Sequence, residues 1–235
     1  MTVEAVRWPT PVTSADPLFI AQACNWMRRP AAVLLRMIWS AYDAMLFDRP
    51  FIDGRDLERS ITQLLEPRIR NSMSGDEPFY IQHGPFERET MAKPPAQPPA
   101  YDLAFVLRAD ERVMWPLEAK VLETPNQLAS YHRDIQQEFL TCRYAPFSMS
   151  GAMLGYLLSG TAEDALTAIE AKLGCVLETV AEFPTRPTRV SRHARSVPIG
   201  KAYPDTFDCF HLILDYPGLQ RTRHDHSRTP SPRRK

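Results

Sequence analysis

Two apolar runs joined by a charged turn constrain this chain more than any other feature. Residues 101–107 read YDLAFVL, residues 112–122 read RVMWPLEAKVL, and the letters between them are RADE. Two β-compatible runs with a short polar turn between them predict a β-hairpin. Charges inside a core are expensive unless they are paired, solvated or bound to something, so Asp102, Glu118 and Lys120 need an explanation.

The alternation of side chains along a strand groups these charges. Every second residue from Trp115 to Val121 contributes to an apolar face. Glu118 and Lys120 therefore share the other face, about 6.6 Å apart along the strand. Asp102 begins the neighbouring strand and approaches the same end when the strands pair around the turn. The sequence predicts that two carboxylates and one ammonium group converge at one edge of a sheet.

Two carboxylates at this separation are suited to a divalent cation. Mg²⁺ is commonly held by one or two carboxylates together with substrate phosphates. Such a cation acidifies water and neutralises charge on phosphorus, and a neighbouring lysine can orient or deprotonate that water. We expect Asp102 and Glu118 to bind Mg²⁺ or Mn²⁺, and Lys120 to assist hydrolysis of a phosphodiester. The alternative is an exposed ion pair of Glu118 and Lys120 beside a solvated Asp102.

The spacing of Asp102, fifteen residues, and then Glu-Ala-Lys resembles the PD-(D/E)xK nuclease superfamily. The resemblance covers roughly residues 54–183 and departs from the family where a tyrosine replaces the motif's proline. It implies a restriction-endonuclease-like fold, in which the Ala119 carbonyl and an acid from the preceding helix join the metal site. Glu58 fits this role better than Glu66, because it begins its segment well before Pro67.

The resemblance also implies a function and a setting. It indicates a Mg²⁺-dependent endonuclease that acts on DNA, in a prokaryotic restriction or anti-phage defence system. Polar residues of the following helix often lie near such a site, which concerns Gln127, Tyr131 and Gln136, although all three also fit an ordinary helix surface. The second hypothesis is a catalytically inactive subunit of the same fold that binds nucleic acid or protein.

The order of predicted elements indicates an α/β sandwich with a central mixed sheet and flanking helices. Residues 1–50 form an N-terminal helical segment that packs on the core or on a partner. Residues 51–218 form the nuclease-like domain, and residues 219–235 form a basic, disordered tail. The predicted helices cover 17–29, 31–47, 56–73, 124–140 and 161–173, and the predicted strands cover 79–86, 101–107, 112–122, 148–158, 175–183 and 207–216.

Charge is distributed unevenly along the chain. The 28 basic and 28 acidic residues cancel, but the tail holds six basic residues and one acid, so residues 1–220 carry a net charge of −5. A local exception at 186–201 contains no acid, and its extended, proline-bounded shape suits phosphate contacts. In a nuclease, His193 or Arg195 of this stretch could approach the scissile phosphate. The alternative is a solvated loop whose basic residues pair with acids elsewhere in the chain. The predicted nucleic-acid contacts are Arg186, Arg189, Arg192, Arg195 and Lys201.

The remaining features indicate a cytoplasmic protein. The four cysteines lie far apart without a CxxC pair, and the N-terminal residues do not resemble a signal peptide. The most apolar helix, 31–47, carries Arg36 and Asp43 and is too short to span a bilayer comfortably. Its apolar stripe from Leu34 to Leu46 predicts packing on the core, or a face for a homodimer or a partner protein.

Overall fold

The computed structural model describes residues 31–90, 98–216 and 221–222, together with residues 18, 20, 21 and 23 of an earlier helix. Most of the predicted helix at 17–29, most of the proline-rich connection at 93–99 and most of the tail lie outside the described residues. Within the described residues, no helix combines the length and the apolar character needed to cross a membrane.

The helices and strands follow the predicted order. The helices are α1 (Ala31–Asp48), α2 (Leu57–Asn71), α3 (Pro125–Asp134), which continues as a π-helical turn (Ile135–Phe139), and α4 (Ala162–Leu173). The strands are β1 (Ile52–Asp53), β2 (Phe79–His83), β3 (Leu103–Leu107), β4 (Met114–Val121), β5 (Ser150–Leu157), β6 (Glu178–Thr179), β7 (Thr188–Ala194), β8 (Thr206–Asp215) and β9 (Arg221–Thr222).

Seven strands form one mixed sheet in the order β2-β3-β4-β5-β8-β7-β6. The pairs β4–β5 and β5–β8 are parallel, whereas β2–β3, β3–β4, β7–β8 and β6–β7 are antiparallel. The short strands β1 and β9 pair in parallel as a separate sheet. The predicted α/β class with a mixed central sheet is confirmed.

The sheet lies between two layers of helices. One core cluster joins α1 and α2 to alternate strand residues such as Leu117 and Ala119, and the other joins α3 and α4 to the intervening positions such as Met114. This alternation arises because neighbouring residues of a strand point to opposite faces of the sheet. Consequently, Glu118 and Lys120 belong to the face that α3 covers.

Helix α1 packs on its own chain. Its stripe from Leu34 to Met45 is buried, and only Leu46 at the end of the predicted stripe is exposed. Trp39 Nε1 donates to Thr188 Oγ1 at 3.1 Å, and the Tyr42 hydroxyl donates to the Asp215 carbonyl at 2.5 Å. The stripe therefore packs on the sheet of its own chain.

Three segments differ from the prediction. In the tail expected to be disordered, Arg221–Thr222 form β9 and pair with β1. The strand expected at 175–183 is reduced to Glu178–Thr179, and the basic stretch expected as an extended connection contains β7, which pairs with β8 over seven residues. Arginines at every third position hide the strand pattern, but Thr188 and Val190 are buried and hold β7 in the sheet. Helix α2 continues through Pro67 to Asn71.

Candidate active site

The register of the hairpin places the first two acids beside each other. Leu103 of β3 pairs with Leu117 of β4, so Asp102 and Glu118 follow as the next opposed positions at that end. Asp102 Oδ2 accepts a hydrogen bond from the Ala119 amide at 2.7 Å. This contact holds the carboxylate against the edge of β4, where the Ala119 carbonyl also lies.

Lys120 is the centre of a cluster of acids. Four carboxylates lie within 4 Å of its ammonium group: Glu118 and Asp134 at 3.1 Å each, Glu58 at 3.5 Å and Asp102 at 3.9 Å. Its Nζ also donates to the Ala119 carbonyl at 2.7 Å. The structure thus brings Asp102, Glu118 and Lys120 together, as the alternation argument expects.

Glu58 reaches this cluster from the other layer of helices. It lies in the first turn of α2, which begins after the N-cap Asp56, and its Oε2 accepts from the Val121 amide at 3.3 Å. Glu66 lies two turns further along the same helix and pairs with Arg70 instead. The sequence-based preference for Glu58 over Glu66 therefore agrees with the geometry.

Asp134 is the acid that the sequence reasoning missed. It ends α3 on the same face of the sheet as Lys120, and its side chain is mostly buried. Residues 131–134 read Tyr-His-Arg-Asp, which resembles a kinase catalytic loop in letters only. The available signal was an acid in the predicted helix that follows the Glu-Ala-Lys strand, where Asp134 is one of two acids with Glu138.

The three polar residues expected near the site have other roles. Gln127 accepts a hydrogen bond from the Glu123 amide at 3.0 Å and so belongs to the start of α3. Tyr131 is fully buried and its hydroxyl bonds His211 Nδ1 at 2.8 Å, on the core side of the helix. Gln136 is exposed in the π-helical turn. The contacts of Gln127 and Tyr131 lie outside the cluster, and no contact joins Gln136 to it among the described residues.

Glu118 is buried in a way that its protein neighbours do not satisfy. Glu118 is 8% exposed, and its Oε1 accepts a hydrogen bond from Lys120 Nζ at 3.1 Å. Its Oε2 is the one buried side-chain oxygen or nitrogen without a hydrogen-bond partner among the described residues. Burial, and next the Asp102 carboxylate, raise the pKa of Glu118 well above its usual value. A buried carboxylate oxygen without a partner is costly, which marks this position as a place for a ligand.

Glu58 and Lys120 respond to the same crowding. Burial raises the pKa of Glu58 above its usual value even though Lys120 opposes the shift. Burial lowers the pKa of Lys120, but the surrounding carboxylates, Glu118 foremost, outweigh this and raise it above its usual value. Lys120 is therefore protonated at neutral pH and acts as a donor of hydrogen bonds and positive charge rather than as a base.

The cluster contains the oxygen donors that divalent cations prefer, but within the described part of the chain no group of three or more Asp, Glu, His or Cys side chains is arranged to hold a metal ion. The Lys120 ammonium lies among the acids instead. Four carboxylates share this single cation, and one of their buried oxygens has no partner. Hard oxygen ligands in excess over the charge they neutralise are what Mg²⁺ and Mn²⁺ require.

The predicted basic surface at 186–201 is not a free cationic patch. The Arg186 guanidinium forms a two-pronged ion pair with Asp43 of α1. Arg189 lies 3.5 Å from Glu163, and Arg192 lies 3.5 Å from Asp208. Acids from other elements thus neutralise charges that have no acid nearby in the sequence, which is the alternative that the sequence analysis left open.

Lys201 and Arg195 are also paired within the protein. Lys201 pairs with Glu89 at 3.1 Å. Arg195 is 7% exposed, and its guanidinium donates to four backbone carbonyls, those of Phe139, Tyr144, Ala145 and Ser148. Arg195 is therefore unavailable to a phosphate and connects the end of β7 to the π-helical turn after α3 and the loop that follows it. His193 bonds Ser191 at 2.7 Å, away from the acids of the cluster.

Comparison with known proteins identifies no relative: no family model, no curated protein and no solved structure matches the chain.

Proposed function

We propose that this chain is a metal-dependent nuclease that hydrolyses phosphodiester bonds of DNA. The observation that carries the proposal is the buried Glu118 Oε2, which has no hydrogen-bond partner among the described residues. The Glu118 carboxylate is also one of four that surround the Lys120 ammonium. Stability alone would favour fewer acids here, because uncompensated buried charge is destabilising. A site that retains a destabilising buried charge is expected to use that charge in binding or catalysis.

The proposal includes a restriction-endonuclease-like arrangement of the α/β fold. Support comes from the order of the elements around the site: α2 supplies Glu58, the β3–β4 hairpin supplies Asp102 and Glu118, and α3 packs over Lys120. This agrees with the resemblance of the Asp and Glu-Ala-Lys motif to the PD-(D/E)xK superfamily. The neighbourhood of the motif, and not the motif alone, therefore supports the proposal.

Asp102, Glu118 and the Ala119 carbonyl are the groups that would hold Mg²⁺ or Mn²⁺. The cation would supply charge neutralisation at the scissile phosphate and make an attacking water more acidic. The Ala119 amide already orients Asp102 by a hydrogen bond, so this ligand needs little rearrangement.

Lys120 and the two remaining acids have separate tasks. The Lys120 ammonium is protonated and would donate to an oxygen of the phosphate or to the attacking water. Asp134 holds it from the side of α3 at 3.1 Å, so Asp134 is a positioning residue. In the reaction, the water oxygen bonds to phosphorus, the bond to the leaving oxygen breaks, and one proton leaves the water. Glu58, partly exposed and with a raised pKa, is suited to accept that proton.

The test compares two Glu-Ala-Lys segments of the same chain. Plasmid DNA is incubated with Mg²⁺ and the wild type, Glu118→Gln or Lys120→Met, beside Glu170→Gln and Lys172→Met in the second segment on α4. We expect loss of cleavage by about 10³-fold for the first pair, as for other electrostatic groups at phosphoryl centres, and no change for the second pair. Asp134→Asn should reduce cleavage about tenfold and be partly restored by Asp134→Glu.

Binding of the cation is measured separately by thermal unfolding. Mg²⁺ should raise the Tm of the wild type and of Glu170→Gln, but not that of Glu118→Gln, because ligands stabilise only the state that binds them. Equal cleavage by all five proteins, or none by the wild type, would contradict the nuclease proposal.

A further inference from the structure

A groove leads away from the carboxylate cluster along one edge of the sheet. A cavity of about 290 Å³ is lined by three acids, Asp56, Glu58 and Asp102, and by Arg59 and His83. A second cavity of about 630 Å³ is lined by Glu66, Arg70, Tyr80, Gln82, His83 and Arg108. His83 lines both cavities, and we call them together the β2 groove.

The register of the sheet defines the course of the β2 groove. Strand β2 is at the end of the strand order, and His83 pairs with Leu103, the residue that follows Asp102. At the other end Phe79 pairs with Leu107, the residue that precedes Arg108. The five residues of β2 span about 16 Å. The groove thus runs from Arg108 to the acids that would hold the cation.

Arginines occur along the whole length of the β2 groove. The Arg59 guanidinium, next to Glu58, has no acceptor within the described part of the chain. Arg70 projects from α2 with a side chain that is 64% exposed and pairs with Glu66. The exposed Arg108 lies over the ring of Tyr80, 5.5 Å from its centre. Three arginines and one aromatic ring therefore line a path that ends at the proposed metal ligands. Of the two further acids in the lining, Asp56 caps α2 and Glu66 pairs with Arg70.

We propose that the β2 groove binds a single-stranded stretch of the nucleic acid next to the phosphate that is cleaved. This inference rests on the proposed nuclease function for the identity of the ligand. Arginines and an aromatic ring are groups that bind single strands, because arginines contact phosphates and every base can stack on a ring. The acids Glu58 and Asp102 lie at the end where the cation would neutralise them. Arg59, Arg70 and Arg108 contact successive phosphates, and Tyr80 offers its ring to a base.

The β2 groove replaces the predicted surface at 186–201 as the nucleic-acid site. Strand β7 is separated from β2 by five inter-strand spacings, about 24 Å. The exposed Arg192 on β7 is balanced by Asp208 and by Glu178. It therefore provides a matched control, because the same substitution removes the same charge outside the groove.

The experiment measures binding without cleavage. All proteins carry Glu118→Gln, and a fluorescently labelled single-stranded DNA oligonucleotide is titrated in Mg²⁺ at several salt concentrations. For single strands the logarithm of affinity falls with the logarithm of salt by about 0.7 per neutralised phosphate. Each of Arg59→Gln, Arg70→Gln and Arg108→Gln should reduce that slope by about 0.7, and the triple variant by about 2, whereas Arg192→Gln should leave it unchanged.

Three outcomes overturn this inference. They are equal salt slopes for the groove variants and the control, failure of the oligonucleotide to bind, and tighter binding of duplex of the same sequence than of the single strand. If a synthetic peptide binds in place of DNA, and the groove variants weaken that binding, the groove serves strand addition at β2 instead. If the groove variants lose binding but the wild type cleaves nothing, the groove stands and the nuclease proposal falls. If the wild type cleaves DNA and the groove variants bind normally, the nuclease proposal stands and the inference about the groove falls.

Discussion

Glu118 and Arg195 are two buried charges whose surroundings differ completely. Arg195 is 7% exposed and donates to four backbone carbonyls, so the protein satisfies its guanidinium. Glu118 is 8% exposed and lies beside Asp102, and one of its oxygens has no hydrogen-bond partner among the residues that the structure describes. The difference separates a charge that maintains the fold from one that is kept at a cost. Burial alone does not distinguish these roles, but the count of satisfied hydrogen-bonding groups does.

The largest effect on stability is expected at Arg195. Arg195→Met removes a guanidinium that connects the turn after α3 to the end of β7 and leaves its carbonyl acceptors unpaired. The free energy of unfolding should fall by about 3–5 kcal/mol. Denaturant unfolding measures it, with Arg192→Met as the exposed control. A loss below about 1 kcal/mol would show that water replaces the guanidinium without cost.

Glu87 is a third buried charge and sharpens the comparison through pH. It accepts hydrogen bonds from the Tyr101 hydroxyl and the Glu89 amide, yet burial raises its pKa from 4.5 to about 7. The folded state therefore holds this proton above pH 4.5, where the unfolded state has lost it. The contribution of Glu87 to the free energy of unfolding is greatest below pH 4.5 and falls as pH rises to 7, by at most about 3 kcal/mol.

This contribution is isolated by a difference between two proteins. Unfolding of the wild type and of Glu87→Gln is compared from pH 4.5 to pH 8. The wild type should lose stability relative to the variant as pH rises, with most of the change complete near pH 7. Parallel stability curves for the two proteins would contradict the raised pKa.

Glu118→Gln is expected to raise the free energy of unfolding, whereas Arg195→Met is expected to lower it. The substitution removes a buried carboxylate that is raised in pKa by burial and by Asp102. Without Mg²⁺, the free energy of unfolding should rise by about 1–2 kcal/mol, as is common when a strained functional group is replaced. Denaturant unfolding in the presence of a chelator checks this. A destabilised variant would mean that Glu118 supports the fold through Lys120.

The smallest effect is expected at Arg189, in the predicted basic surface. Its ion-pair partner Glu163 lies 3.5 Å away with a side chain that is 77% exposed. Exposed pairs contribute little, so Arg189→Gln should change stability by less than about 0.5 kcal/mol. Affinity for DNA should also stay unchanged within twofold. A large loss of affinity would return the nucleic-acid site to residues 186–201.

Local patterns predicted much of the fold. The apolar spacing predicted α2 and α4, and the two runs around the charged turn predicted β3 and β4. Strand β7 could not be recognised, because its arginines resemble a solvated loop. Only pairing with β8 and burial of Thr188 show that it is a strand. The prediction of a strand at 175–183 was mostly wrong for the opposite reason. The apolar residues there resemble a buried strand, but they lie largely outside the sheet.

The sequence by itself determined the inner part of the candidate site. Asp102, Glu118 and Lys120 lie on one hairpin, and alternation plus a short turn decide which side chains meet, because both act over a few residues. Only the tertiary structure decided the rest: that Glu58 and Asp134 reach Lys120, that Arg195 is buried, and that acids neutralise the basic stretch. These contacts depend on how helices distant in sequence pack on the sheet, and no local pattern contains that information.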